Sequence, residues 1–174
     1  MSTTSPAAEA GGPQRPAAEA GGPRWLDEGE ARAWRGYMRM RTLLHAQIVR
    51  DLAHDAGLSG PDYDVLSNLS EAPGRRSRLG DLAARMAWSR SRLSHHITRM
   101  ERRGLVTRED CADDGRGAVV VLTDAGFRTI AAAAPGHVES VRRHFIDRLT
   151  REQLEALAEI SRTVVRGLTG EDPS

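Results

Sequence analysis

Lysine is absent from the 174-residue sequence, and all 25 of its Lys-plus-Arg positions are arginine. That absence excludes Schiff-base chemistry, the phosphate-gripping lysine of a Walker loop and a Ser-x-x-Lys pair. It also fits a gene of high GC content, because arginine codons are GC-rich. Cysteine is nearly absent: Cys111 stands alone, so no intramolecular disulfide framework exists. Its acidic neighbours Glu109, Asp110, Asp113 and Asp114 disfavour a thiolate, against the pull of Arg108 and Arg116. A plain thiol is the expectation, ahead of a redox sensor. Long apolar runs are missing too. The longest, Ala118 to Leu122 and Ala131 to Ala134, fall far short of the ~20 residues that span a bilayer. No basic stretch leading into an apolar one opens the chain, so no signal peptide and a cytoplasmic location are expected. Metal-ligand spacing is lacking, since His137 and His144 are two helical turns apart and one cysteine makes no zinc pattern. Gly115-Arg-Gly117 runs into a strand and is no phosphate loop, and no nucleophile elbow occurs. No cofactor, no metal and no enzymatic activity are therefore expected.

What is present is a concentration of positive charge. The whole chain is nearly neutral, at +1. Between Arg85 and Arg108, however, lie seven arginines and a single acid, Glu101, a local excess of +6. Charge gathered this way on a near-neutral chain marks a face for an anion such as nucleic acid.

Residues 1–24 hold the octet PAAEAGGP twice, from Pro6 and from Pro16. Segments of this composition bury no core and are expected to be disordered. Helical periodicity starts near Trp25, with Trp34, Met38, Leu44, Ile48 and Leu52 three or four apart, and stops at Gly57. Ser59 caps a second helix with Pro61 in its first turn, carrying Tyr63, Leu66 and Leu69 inward and ending at Pro73-Gly74. After the basic loop Arg75-Arg76-Ser77-Arg78 comes a short helix with Leu79, Leu82, Ala83 and Met86 on one side. Ser89 caps another, which runs to Arg103 and stops at Gly104. Two short helices with a tight turn between them form a helix-turn-helix. The period then changes from helix to strand: residues 105–109 and 118–122 read as a β-hairpin about the turn at 113–117, a wing directly behind the helix-turn-helix. Thr123 caps a helix that Pro135-Gly136 should kink or interrupt, with Val138, Val141, Phe145 and Leu149 continuing its stripe. Thr150 to Gln153 forms a capping box for a last helix that should bury Leu154, Leu157, Ser161, Val164 and Leu168. The expected fold is mainly α with a small β wing.

On the helix after Ser89, Leu93, Ile97 and Met100 share one narrow face, the core side. The opposite face carries Ser91, His95, Thr98 and Arg102, flanked by Arg92 and Arg99, and the adjacent His95 and His96 are both read as part of it. Arginine pairs with guanine O6 and N7 in a major groove, while serine and threonine reach base edges or phosphates. Ser89 and Arg90 at the helix N-terminus suit a phosphate. Arg116, between two glycines at the hairpin tip, is placed to probe a minor groove, with Asp114 able to hold its guanidinium. Arg75, Arg76 and Arg78 are expected at phosphates at most, where each loss lowers the salt dependence of binding by about one unit of slope.

The run from Ser91 to Arg108 with its Gly-Leu-Val-Thr-Arg, then Asp114-Gly-Arg116, then Leu122-Thr-Asp-Ala-Gly126, resembles the multiple antibiotic resistance regulator (MarR) family over residues 27–168. The segment Trp25 to Trp34 looks like an actinobacterial branch of it. The resemblance implies a winged helix-turn-helix over 58–123 and a homodimer paired through a helix in 25–57 and helices in 124–170. Those helices carry apolar stripes that need a partner, which independently supports dimerisation. It implies double-stranded DNA as partner, a near-palindromic operator, wings in flanking minor grooves with Arg116 as wing arginine, and release by a small phenolic or anionic ligand. Trp34, Tyr37, Met38, His45 and Trp88 are the candidate lining of a ligand pocket, against core packing as the plainer reading of each. The family's peroxide sensors carry their cysteine near the first helix, so Cys111 does not inherit that role. A DNA binder without ligand and a winged-helix protein-interaction module remain the alternatives.

Overall fold

The computed structural model describes residues 23–110 and 118–170. These fall into two compact units, one ending at Met38 and one beginning at Arg39. Helix α1, Glu28–Ala56, starts in the first. Asp27 and Glu30 exchange side-chain-to-backbone hydrogen bonds of 2.8 Å, a reciprocal cap that satisfies the first turn. The Trp34 and Tyr37 rings stand 5.9 Å apart and remain exposed.

The second unit holds the remaining elements: α2 (Gly60–Glu71), β1 (Arg76–Arg78), α3 (Leu79–Arg85), α4 (Arg90–Arg102), β2 (Val106–Asp110), β3 (Ala118–Leu122), α5 (Asp124–His144) and α6 (Arg151–Thr169). Ser59 caps α2 as its sequence predicts, in a reciprocal pair with Asp62, and Thr150 does the same for α6 with Gln153. The three strands form an antiparallel sheet in the order β1-β3-β2. Val106 pairs with Leu122 and Asp110 with Ala118, so the hairpin register is set within the described residues. Leu58, Val65, Leu66, Leu69, Leu82, Leu93, Ile97, Met100 and Val120 form a fully enclosed core where α2, α3, α4 and the sheet meet.

Three expectations need correction. The basic loop is partly a strand: after one 3-10 turn at Pro73–Arg75, Arg76–Arg78 pairs with Val119 to Val121 on the far side of β3. Three residues alternating polar and charged give no strand signal of their own; the open edge of the hairpin recruits them. Pro135 does not interrupt α5, which runs through it. Its missing N–H frees the carbonyl of Ala131, and Ala131 and Pro135 both lie on the exposed side of the helix, where an unpaired carbonyl costs little. The stripe on α6 is not buried. No residue of that helix is buried within the chain, and Ile160, Val164 and Leu168 are 59%, 54% and 81% exposed.

Gly126 fixes how α5 meets the sheet. A Cβ there would lie 2.0 Å from the Leu105 carbonyl oxygen and 2.8 Å from Leu122 Cδ1. The same carbonyl accepts hydrogen bonds from the Thr123 amide and hydroxyl, at 3.2 and 3.0 Å, and Thr123 caps α5. Helix, hairpin and the end of α4 therefore converge on one carbonyl, and only glycine leaves room for it.

Candidate nucleic-acid interface

The turn joining α3 to α4 is tight. Ala87 takes a left-handed φ of 51°, and the Trp88 amide bonds back to the Ala83 carbonyl at 2.9 Å. Ser89 then caps α4 by accepting from the Arg92 amide at 3.2 Å. Leu93, Ile97 and Met100 are fully buried, which fixes the rotation of the helix and turns Ser91, Arg92, His95, Arg99 and Arg102 to solvent. Ser89 and Arg90 are exposed at its start.

The seven arginines of the basic segment divide into two groups. Arg85 donates to Ser77 Oγ at 2.9 Å, Arg103 to Asp62 at 2.7 Å, and Arg108 to Glu101. Arg108 also reaches back along α4, donating to the Ser94 carbonyl at 2.7 Å and the Thr98 hydroxyl at 3.2 Å. Strand β2 thus grips the helix through one guanidinium, and half-buried Thr98 is engaged by it. Arg90, Arg92, Arg99 and Arg102 stay on the exposed side. Arg90 lies flat against the start of α3, where a Cβ on Gly80 would come within 3.1 Å of its Nη2. Arg92 lies over the Trp88 ring at 4.0 Å. Composition shows seven equivalent charges; only the packing separates those that hold the helix from those it presents.

Among the loop arginines, Arg75 covers the Phe127 ring at 3.4 Å and lies 4.0 Å from Asp124, Arg76 pairs with Glu109, and Arg78 is exposed at the end of β1. Arg116, Asp114 and Cys111 lie outside the described residues. Of the candidate pocket residues in the second unit, His45 is exposed on α1 and half-buried Trp88 packs against the core.

His96 corrects the reading of that helix face: it is buried, not presented. Its Nε2 lies 3.1 Å from Asp62 Oδ1, and its Nδ1 accepts from Arg99 at 2.9 Å, so the neutral ring carries its proton on Nε2. Burial pushes the imidazole below its ordinary 6.5, against the pull of Asp62. Burial works to raise the Asp62 carboxyl, but hydrogen bonds from Arg103 and Ser59 outweigh it and hold the group below the usual carboxylate range. The sequence hides this network because Asp62 lies 41 residues from Arg103, which reads as one more charge of the basic segment.

The network carries a pH dependence. A histidine with a depressed folded-state pKa binds fewer protons folded than unfolded, so its stabilisation is complete above pH 6.5 and declines as pH falls through that value. His137, also pushed down by burial, acts with the same sign. The thermal midpoint should fall from pH 7.5 to pH 5.5, less steeply in His96→Gln than in the native protein. Equal slopes would remove His96 from the account.

A MarR family model matches residues 56–117. Transcriptional regulator HosA of Escherichia coli O127:H6 is 30% identical over 131 residues, 75% of this chain and 95% of that protein. The chain belongs to the MarR family. Among solved MarR structures, AbsC of Streptomyces coelicolor is 46% identical, with a TM-score of 0.79 over 86% of this chain and all of that one. Sco3205 of the same organism, solved in complex with DNA, is 44% identical, with a TM-score of 0.81 over 89% of this chain and 95% of that one. These MarR relatives are transcriptional regulators, not enzymes. No helix among the described residues is long and apolar enough to cross a membrane.

Proposed function

We propose that this MarR-family regulator is a cytoplasmic, homodimeric, sequence-specific repressor that binds a near-palindromic operator and leaves it when a small phenolic or anionic molecule binds. The observation that carries the reading is the exposed face of α4, where Ser91, Arg92, His95, Arg99 and Arg102 stand free of the core on a helix clamped from behind. Residues 58–123 form the DNA-binding domain. The pairing elements are α1, within 25–57, and the helices of 124–170. An amphipathic α6 with no buried residue supports pairing, because so much exposed apolar surface calls for a partner. The DNA complex of Sco3205 supports a duplex as ligand of α4.

Ligand response draws support from a cavity of about 130 Å³ lined by Leu52, Asp55, Ala56, Ala132, Ala133, Gly136 and His137. That is near the roughly 150 Å³ that accepts a benzene ring. His137 also lies on the Tyr63 ring, centroids 4.2 Å apart, which fixes one wall of the cavity. Trp34, Tyr37, Met38, His45 and Trp88 remain the other candidates for ligand contact.

Selection of bound duplexes from a random pool tests the core of this reading. It should enrich two inverted half-sites about 10 base pairs apart, matching the two-fold axis of a dimer. No enrichment, or a single unrepeated half-site, contradicts it. With the selected operator, Arg116→Ala should weaken binding by roughly 1–3 kcal/mol if the wing arginine reads the groove. Unchanged affinity at matched salt would remove Arg116 from the interface.

A further inference from the structure

The position of Trp88 has a consequence for DNA reading. Its backbone is anchored and its ring is packed on two sides. The backbone amide is bonded to the Ala83 carbonyl at 2.9 Å, the side chain packs against the core, and the ring meets the buried His96 imidazole edge-on, centroids 5.7 Å apart. His96 is in turn fixed between Asp62 and Arg99. Onto a face of this indole lies the guanidinium of Arg92, 4.0 Å from the ring centroid.

A guanidinium stacked on an aromatic ring uses its flat face and keeps its N–H edge for other partners. An exposed arginine on a helix surface samples many rotamers and loses that freedom on binding. Arg92, in the first turn of α4 and on the solvent side, is already held in one orientation with donors left over. Those donors have the fork geometry that pairs with guanine O6 and N7. We infer that Trp88 is a positioning residue for base reading: its ring preorients Arg92 so that the N–H edge meets a purine, and the specificity at that base pair depends on the indole. The inference rests on α4 being the DNA-reading helix, and it gives Trp88 a task other than lining a ligand pocket.

A double-mutant cycle in the full chain tests it, read by fluorescence anisotropy on the selected operator and on single-base-pair variants of that operator. Trp88→Leu should weaken operator binding about 3-fold, the range expected of a cation–π contact at a partly exposed site. The loss should concentrate at the base pair whose identity Arg92→Ala no longer distinguishes. In the Arg92→Ala background, Trp88→Leu should add nothing. Trp88→Phe, which keeps a π face, should restore most of the affinity. A loss spread evenly over all sequences, or one undiminished in the Arg92→Ala background, overturns the inference while leaving α4 as the reading helix. Native protein without any sequence preference overturns both. Should Trp88→Leu lower the melting temperature too far for binding work, NMR of the DNA-free protein decides instead. Ring current should shift the Arg92 Hδ protons upfield in the native protein and in Trp88→Phe; unshifted protons in both would overturn the stacking.

Discussion

Gly126→Ala should destabilise the protein by roughly 3 kcal/mol or more, the upper range for overpacking a rigid site. The added Cβ would sit 2.0 Å from the Leu105 carbonyl oxygen and 2.8 Å from Leu122 Cδ1. Neither neighbour is free to move. Leu105 O holds the Thr123 amide and hydroxyl, and Leu122 is buried in register with Val106. Relief of the clash must lift α5 from the hairpin or break its cap. Gly136→Ala, in the same helix, provides the contrast: nothing lies within 4 Å of its Cβ position. That substitution should be neutral or stabilising by about 0.4–1 kcal/mol through reduced unfolded-state entropy. Urea unfolding of both variants checks the pair, and a mild effect at Gly126 would mean that α5 does not approach the sheet so closely.

The second large effect is expected at Asp62. Its carboxylate is buried and joins two helices, the start of α2 and the length of α4: it accepts from the Ser59 amide at 3.3 Å and from Arg103 at 2.7 Å, and it faces His96 at 3.1 Å. Asp62→Ala removes its own half of the α2 capping box, leaving the Ser59 hydroxyl on the residue-62 amide, and leaves a buried imidazole without its acidic partner. Arg103, nearly half exposed, rehydrates, so the loss falls short of that for a fully buried pair. A destabilisation of roughly 2–3 kcal/mol follows from the lost half of the capping box and the orphaned polar groups. Arg99 would be freed as well, since His96 orients it, so operator affinity should fall beyond what the unfolded fraction explains. Calorimetry and anisotropy on the same sample separate the two effects. A loss of stability with undiminished affinity would confine Asp62 to the scaffold.

Helix positions, caps and the presence of the hairpin were legible because each rests on local chemistry; the hairpin's first strand lies one residue later than read, at Val106–Asp110. Ser59, Ser89, Thr123 and Thr150 cap the helices that they announce, and the β-branched apolar run 118–122 forms the returning strand. β1 was not legible, because the pairing of Arg76–Arg78 is determined by the edge of β3 and not by the segment itself. The exposed apolar face of α6 shows the converse limit: a stripe at helical spacing says that a surface is to be covered, not whether the same chain covers it. On α4 the arginines marked a helix whose charged face the fold leaves exposed. Their division into clamps (Arg103, Arg108) and presented side chains (Arg92, Arg99, Arg102) depends on acids at Asp62 and Glu101, the first of them 41 residues away. His96 was misplaced for the same reason, since a histidine beside a reading face is polar by type and buried by context.

The central claim is that the exposed face of α4 selects a DNA sequence. Fluorescence anisotropy against the duplex upstream of this protein's own gene and against random DNA, at two salt concentrations, tests it most directly. The account predicts tighter binding to the upstream duplex at both salts, a steep loss of affinity with salt on both duplexes, and a preference that Arg99→Ala and Arg102→Ala reduce. Equal binding to the two duplexes at both salts, with no response to those substitutions, would contradict it.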